Sequence, residues 1–118
     1  MTYAFRSLLD AGATVTFGSD WTVAPIDPLL GVYAATTRQT TDGANPNGWV
    51  PSQIISVEEA LRAYTASNAY AGFQENDLGT LEMGKLADFV VISEDLFSVA
   101  PTDIKNVRVL CTVIGGET

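Results

Sequence analysis

Histidine is absent from all 118 residues, and cysteine occurs once, at Cys111. Without histidine there is no Ser-His-Asp triad, no Cys-His dyad and no imidazole-ligated metal centre, unless another chain supplies the ring. A lone cysteine excludes an internal disulfide and a thiolate zinc cluster. Basic residues are scarce, six against fourteen acidic, and the net charge is −8. Such a field repels phosphate backbones and anionic lipid, so neither nucleic acid nor a membrane surface is expected as a partner. Long apolar runs are missing too. Phe89-Val90-Val91-Ile92 is far too short to span a bilayer. The opening Met1-Thr2-Tyr3-Ala4-Phe5-Arg6 has no basic region followed by an apolar stretch, so no secretory signal is visible. A cytoplasmic setting is the expectation.

What is present suffices for one core. The apolar fraction is 47%, and a folded globule of this mass exposes roughly 6,200 Å² against roughly 18,300 Å² for the extended chain. Residues 2–11 read as a helix with Phe5, Leu8 and Leu9 on one face and Gly12 at C′. Ala13-Thr14-Val15-Thr16-Phe17 alternates like a strand and ends in Gly18-Ser19-Asp20-Trp21. Asp27-Pro28 pairs an N-cap with a proline at N1 and opens a helix to about Arg38. Asp42-Gly43, Asn45-Pro46 and Asn47-Gly48 are turn signals in the loop over 40–53. Ser56-Val57-Glu58-Glu59 is a capping box opening a helix over 57–71, which Gly72 ends. From Gly79 the pattern changes. Residues 89–93 predict a strand buried on both faces. In the stretch 107–114, Val107, Val109, Cys111 and Val113 are expected to face one way, with Gly115-Gly116 as a hairpin turn.

Asp20 is the sharpest chemical candidate. It follows a strand's C-terminal end, where α/β folds place their chemistry. A carboxylate there can ligate a cation or accept a proton from an activated water. It can equally cap the next turn through its own oxygens. Other signals are weaker. Asp27 reads as a cap, and Glu58 and Glu59 as first-turn carboxylates complementing the helix dipole. The 42–48 stretch fails the calcium-loop template, because aligning Gly48 with the invariant glycine leaves Gly43 and Ile54 at ligand positions. Gly79-x4-Gly84-Lys85 lacks the Ser/Thr of a phosphate loop, with Leu86 in its place, and precedes a strand. Cys111 reads as an inert core thiol. Trp21 and Trp49 either line a pocket or simply pack.

Taken together, Leu8-Leu9-Asp10-Ala11-Gly12-Ala13, Phe17-Gly18-Ser19-Asp20-Trp21, the helix Ser56 to Thr65, the segment Gly79 to Val91 and the ending Val113-Ile114-Gly115-Gly116-Glu117 resemble the amidohydrolase superfamily. The closest branch is the amidohydrolase family 3 group of metal-dependent, exoenzyme-regulatory-protein-like hydrolases. The resemblance implies an α/β fold: the C-terminal piece of a (β/α)8 metal-dependent hydrolase barrel, followed by part of an accessory β-sandwich. Residues 1–78 would be the end of the barrel, with its last strand and C-terminal helices. Residues 79–118 would be strands of the β-domain, with the final strand truncated. The implied reaction is hydrolysis of C–N bonds in amides, cyclic amides or N-acyl compounds, with a divalent metal, zinc, activating water. Asp20 would be catalytic and a metal ligand, with Ser19 and Trp21 shaping the substrate pocket. By the same resemblance the remaining ligands would be chiefly histidines on earlier strands, outside this sequence. By itself the chain is expected to be inactive, to hold no metal and to self-associate. The alternative is a non-catalytic structural or interaction module.

Overall fold

The computed structural model describes residues 3–118. In chain order it contains α1 (Phe5–Asp10), α2 (Pro28–Thr37), a 3-10 turn at Pro51–Gln53, α3 (Val57–Tyr64), α4 (Ala66–Ala71), β1 (Phe89–Ile92), a 3-10 helix at Pro101–Asn106 and β2 (Val109–Val113). The class is α/β, with β1 and β2 paired antiparallel.

The helix ends follow their capping residues. Thr2, where the first helix was expected to begin, lies outside the described residues, and α1 runs from Phe5. Gly12 takes C′ at φ +80°, donating its N–H to Leu9 O (2.9 Å), while Ala13 N–H reaches Leu8 O (3.0 Å). Those two bonds satisfy carbonyls the helix would otherwise orphan. Asp27 accepts from Leu29 N–H at 2.9 Å, with Pro28 at N1. The capping box is complete: Glu59 N–H donates to Ser56 Oγ (3.1 Å) and Ser56 N–H to Glu59 Oε2 (2.8 Å).

The long helix over 57–71 is broken in two. Thr65, at φ −122° and ψ −90°, separates α3 from α4. Its hydroxyl donates to Leu61 O (2.8 Å) and its N–H reaches only Arg62 O (3.3 Å). A threonine hydroxyl bonded back to the i−4 carbonyl competes with the helical ladder and bends it.

Residues 13–17 form no strand ladder. Alternation supplies a face, but a strand also needs a neighbour's N–H and C=O groups, and no described segment runs beside this one. Phe17 is held instead by helices, its N–H donating to Ala63 O (3.0 Å) and its carbonyl accepting from Asn68 Nδ2 (3.0 Å).

The strand at 89–93 is not buried on both faces. Phe89, Val90 and Val91 are 37%, 54% and 45% exposed, because the two-stranded sheet is not covered by packed layers on both faces. In β2, Val113 is buried and Cys111 half-buried, but Val109 is exposed. The register shifts there: Val91 pairs with Cys111 and Ile92 with Val109, skipping Leu110. One extra residue interrupts the alternation of faces. The Gly115-Gly116 turn is as expected. Ile114 and Glu117 exchange both backbone bonds (2.9 and 3.0 Å), and both glycines have positive φ, as a two-residue hairpin turn requires.

The core joins Leu29, Val32 and Tyr33 of α2, Ile55, Ala60 of α3, and Leu96, Ile104 and Val107 from beyond residue 79. The total accessible surface is 7724 Å², about a quarter above the area expected for this mass. The excess includes Trp21, Val23, Ile26, Phe97, Leu110 and Ile114, all largely exposed.

Candidate functional site

Phe17 fixes where the site lies. Its ring meets Phe5 edge-on at 4.9 Å and Tyr64 at 5.4 Å, so residues 13–17 are docked on α1 and α3. The chain then leaves this support as Gly18-Ser19-Asp20-Trp21. Asp20 has φ +49°, a left-handed conformation to which aspartate adapts better than most residues. Its main-chain carbonyl accepts from Val23 N–H at 2.7 Å, closing the turn without the side chain. The Asp20 carboxylate is exposed and takes no hydrogen bond among the described residues. Ser19 is half-buried, and Trp21 is 65% exposed. The three side chains are therefore neighbours along one surface turn. Trp49 packs elsewhere, edge-on to Tyr3 at 6.5 Å and over the Arg38 guanidinium.

The other carboxylates are occupied by structure. Glu59 serves the capping box and accepts two bonds from Arg6 Nη1 (2.7 and 2.9 Å). The Ser56 N–H foremost, and the Arg6 guanidinium with it, hold the Glu59 carboxyl below its ordinary value against an opposing effect of burial. Asp42 is held low by the Thr40 hydroxyl and Ala44 N–H inside its own turn. Lys85 donates to Thr80 Oγ1 (2.7 Å), folding the 79–85 loop back on itself rather than offering a phosphate cradle.

Among the described residues, no group of three or more His, Cys, Asp or Glu side chains is placed to hold a metal ion. A catalytic zinc site takes three protein ligands and a water. Asp20 offers one oxygen donor of the right chemistry, but these residues do not make a zinc centre by themselves.

The sequence places Tyr64 on the apolar side of its helix and Arg38 at the end of another, but does not show the tertiary role of either. Tyr64 lies across α2 at Gly31, where any Cβ would overlap its hydroxyl. Burial, and then the charge of Asp27, push the Tyr64 phenol up. Arg38 ends α2 in a left-handed conformation and is buried. The available signal was faint: a glycine inside a helix, and a charge at the end of a buried apolar run.

Compared with known proteins, residues 1–118 match the amidohydrolase family, and the chain belongs to it. This is a family of hydrolases, as its members' names state. The chain is 41% identical over 115 residues to Protein LONG AFTER FAR-RED 3 of Arabidopsis thaliana, covering 98% of this chain and 19% of that protein. It is 32% identical over 114 residues to an N-substituted formamide deformylase of Arthrobacter pascens, covering 97% and 20%. Its fold is similar to the crystal structure of an amidohydrolase from Thermotoga maritima MSB8, with a TM-score of 0.66 and 22% identity over 98% of this chain and 25% of that one. The chain thus spans about a fifth of the length of the curated relatives it matches. Among the described residues, no helix is long and apolar enough to cross a membrane.

Proposed function

We propose that this chain acts as part of a longer, metal-dependent amidohydrolase that cleaves non-peptide C–N bonds in amides, cyclic amides or N-acyl compounds in the cytoplasm. The family match over residues 1–118 carries this reading. In it, residues 1–78 are the end of a (β/α)8 barrel, and residues 79–118 are strands of an accessory β-domain. The missing ladder at 13–17 is then a barrel strand whose neighbours lie outside these residues. A divalent metal, zinc by family resemblance, supplies Lewis-acid activation of water when bound, with its other ligands from outside this chain. The turn at Asp20 is closed by the main chain, which leaves the carboxylate unbonded; it would be one ligand of the metal and would act as the base for water. Ser19 and Trp21 border the substrate at the pocket mouth. Alone, the 118-residue chain is inactive.

The absence of histidine favours the second reading, a non-catalytic structural or interaction module. One substitution separates the two. In the longer enzyme, Asp20→Asn retains shape and a metal-facing oxygen but removes the base, so kcat falls by about 10²–10⁴ while the thermal midpoint is unchanged. Equal turnover by wild type and Asp20→Asn, across a panel of N-acyl and cyclic-amide substrates, removes Asp20 from the mechanism.

A further inference from the structure

Arg38 retains 8% of its surface. Its Nε donates to Trp49 O (3.0 Å) and its Nη1 to Tyr3 O (3.2 Å), while Nη2 is buried with no partner. The guanidinium carbon lies 5.3 Å from the centre of the Phe5 ring and 5.1 Å from that of Trp49. The ion pairs among the described residues join Arg6 to Asp10 and Glu59 and Lys85 to Glu82, and leave Arg38 out. Burial pushes the Arg38 pKa down with no anion opposing it. Arginine nonetheless stays charged. A buried cation met only by carbonyls and ring faces is costly, because an opposite charge is what normally offsets desolvation. In a chain with fourteen acidic residues, none among those described is spent on it.

Beside Arg38 lies a cavity of about 340 Å³, lined also by Phe5, Phe17, Gly18, Ala34 and Tyr64. Four aromatic side chains, Tyr3 among them, and small residues beside one cation complement an anion carried on a flat apolar body. We propose that Arg38 is the receptor for a small aromatic carboxylate, whose acid group pairs with the guanidinium and whose ring occupies the cavity that Tyr3, Phe5, Phe17 and Tyr64 line. The Tyr3 and Trp49 side chains, which flank the guanidinium, are 66% and 49% exposed and stand outside the core, so turning them aside opens Nη2 without disrupting it. The inference does not use the hydrolase reading and concerns the 118-residue chain, in which no described acidic side chain pairs with the guanidinium. Through Gly18, the cavity reaches the backbone one residue before Ser19.

The test is a titration of the 118-residue chain with benzoate, following the Arg38 Nε–H and Trp49 indole N–H signals by ¹H–¹⁵N NMR. Both signals shift saturably with benzoate and stay still with benzamide, the neutral isostere, at the same concentrations. Arg38→Gln weakens benzoate binding about tenfold or more, the effect of losing a hydrogen bond to a charged group. If that variant fails to fold, the contrast between benzoate and benzamide on the native chain decides the matter alone. No saturable shift with benzoate, or an equal response to benzamide, overturns the proposal. Acetate binding as tightly as benzoate overturns it too, by assigning the guanidinium to a polypeptide carboxylate.

Discussion

Gly31 occupies the interior of α2, where helix propensity argues for alanine by about 1 kcal/mol. From sequence alone, Gly31→Ala should therefore stabilise the chain. The tertiary structure reverses the sign. A Cβ at position 31 would overlap the Tyr64 hydroxyl and lie 2.7 Å from its Cζ and 3.1 Å from its Cε2. The Tyr64 ring also packs on Phe17, so it cannot slide along α2 to make room without giving up that contact. Forcing an extra carbon into a packed contact costs about 1–3 kcal/mol. Set against the helix gain, the net is a loss of about 0–2 kcal/mol. Urea denaturation read by far-ultraviolet circular dichroism measures it, with the midpoint falling and the slope unchanged. The decisive control is Gly31→Ala in a Tyr64→Ala background. With the ring gone, the intrinsic gain of about 1 kcal/mol returns, and the cycle gives a coupling of about 1–3 kcal/mol. A Gly31→Ala chain that is more stable by the full propensity value, in both backgrounds, refutes the steric argument.

Ser56→Ala removes the hydroxyl that accepts Glu59 N–H and lowers stability by about 1 kcal/mol in the same assay. The Glu59 carboxyl titrates below its ordinary value of 4.5 in the folded chain, so its contribution is present above that value and is lost as pH falls through the folded pKa. Stability should decline below about pH 4.5, and Glu59→Gln should flatten part of that decline while Asp42 and Asp95, also held low, keep the rest. A urea midpoint independent of pH between neutrality and strong acid would contradict this. The exposed faces of β1 and β2, with Val90 and Leu110 outward, should drive self-association that rises with concentration and is reduced by Leu110→Lys. Static light scattering showing a monomer at all concentrations would count against it. After dialysis against zinc and then buffer, the chain should hold far less than one metal per molecule, because Asp20 supplies a single ligand. Stoichiometric retention by elemental analysis would show otherwise.

The caps and turns closed by groups within four residues of one another were determined by the sequence. Asp27-Pro28, Ser56 with Glu59, Gly12 and Gly115-Gly116 each satisfy or bend the backbone locally, and their caps and turns stand as their residue types require. The unusual backbone of Asp20 belongs to the same tight turn, but alternation in 13–17 could not say whether a neighbouring strand was there to complete a ladder. Only the tertiary structure decided what depends on residues distant in sequence. Thr65 is a local exception, since its hydroxyl bonds Leu61 O four residues back and breaks a helix whose periodicity runs through it. The apolar run of β1 is exposed because burial needs a second layer, and hydrophobicity expresses a demand for cover without supplying it. The crossing of Tyr64 over Gly31 and the buried guanidinium of Arg38 each join elements separated by loops. A sequence read one segment at a time carries no signal of which face meets which. That choice is made when α2, α3 and the 3-10 helix at Pro101–Asn106 close around one core and the loops carry the leftover polar groups in with them.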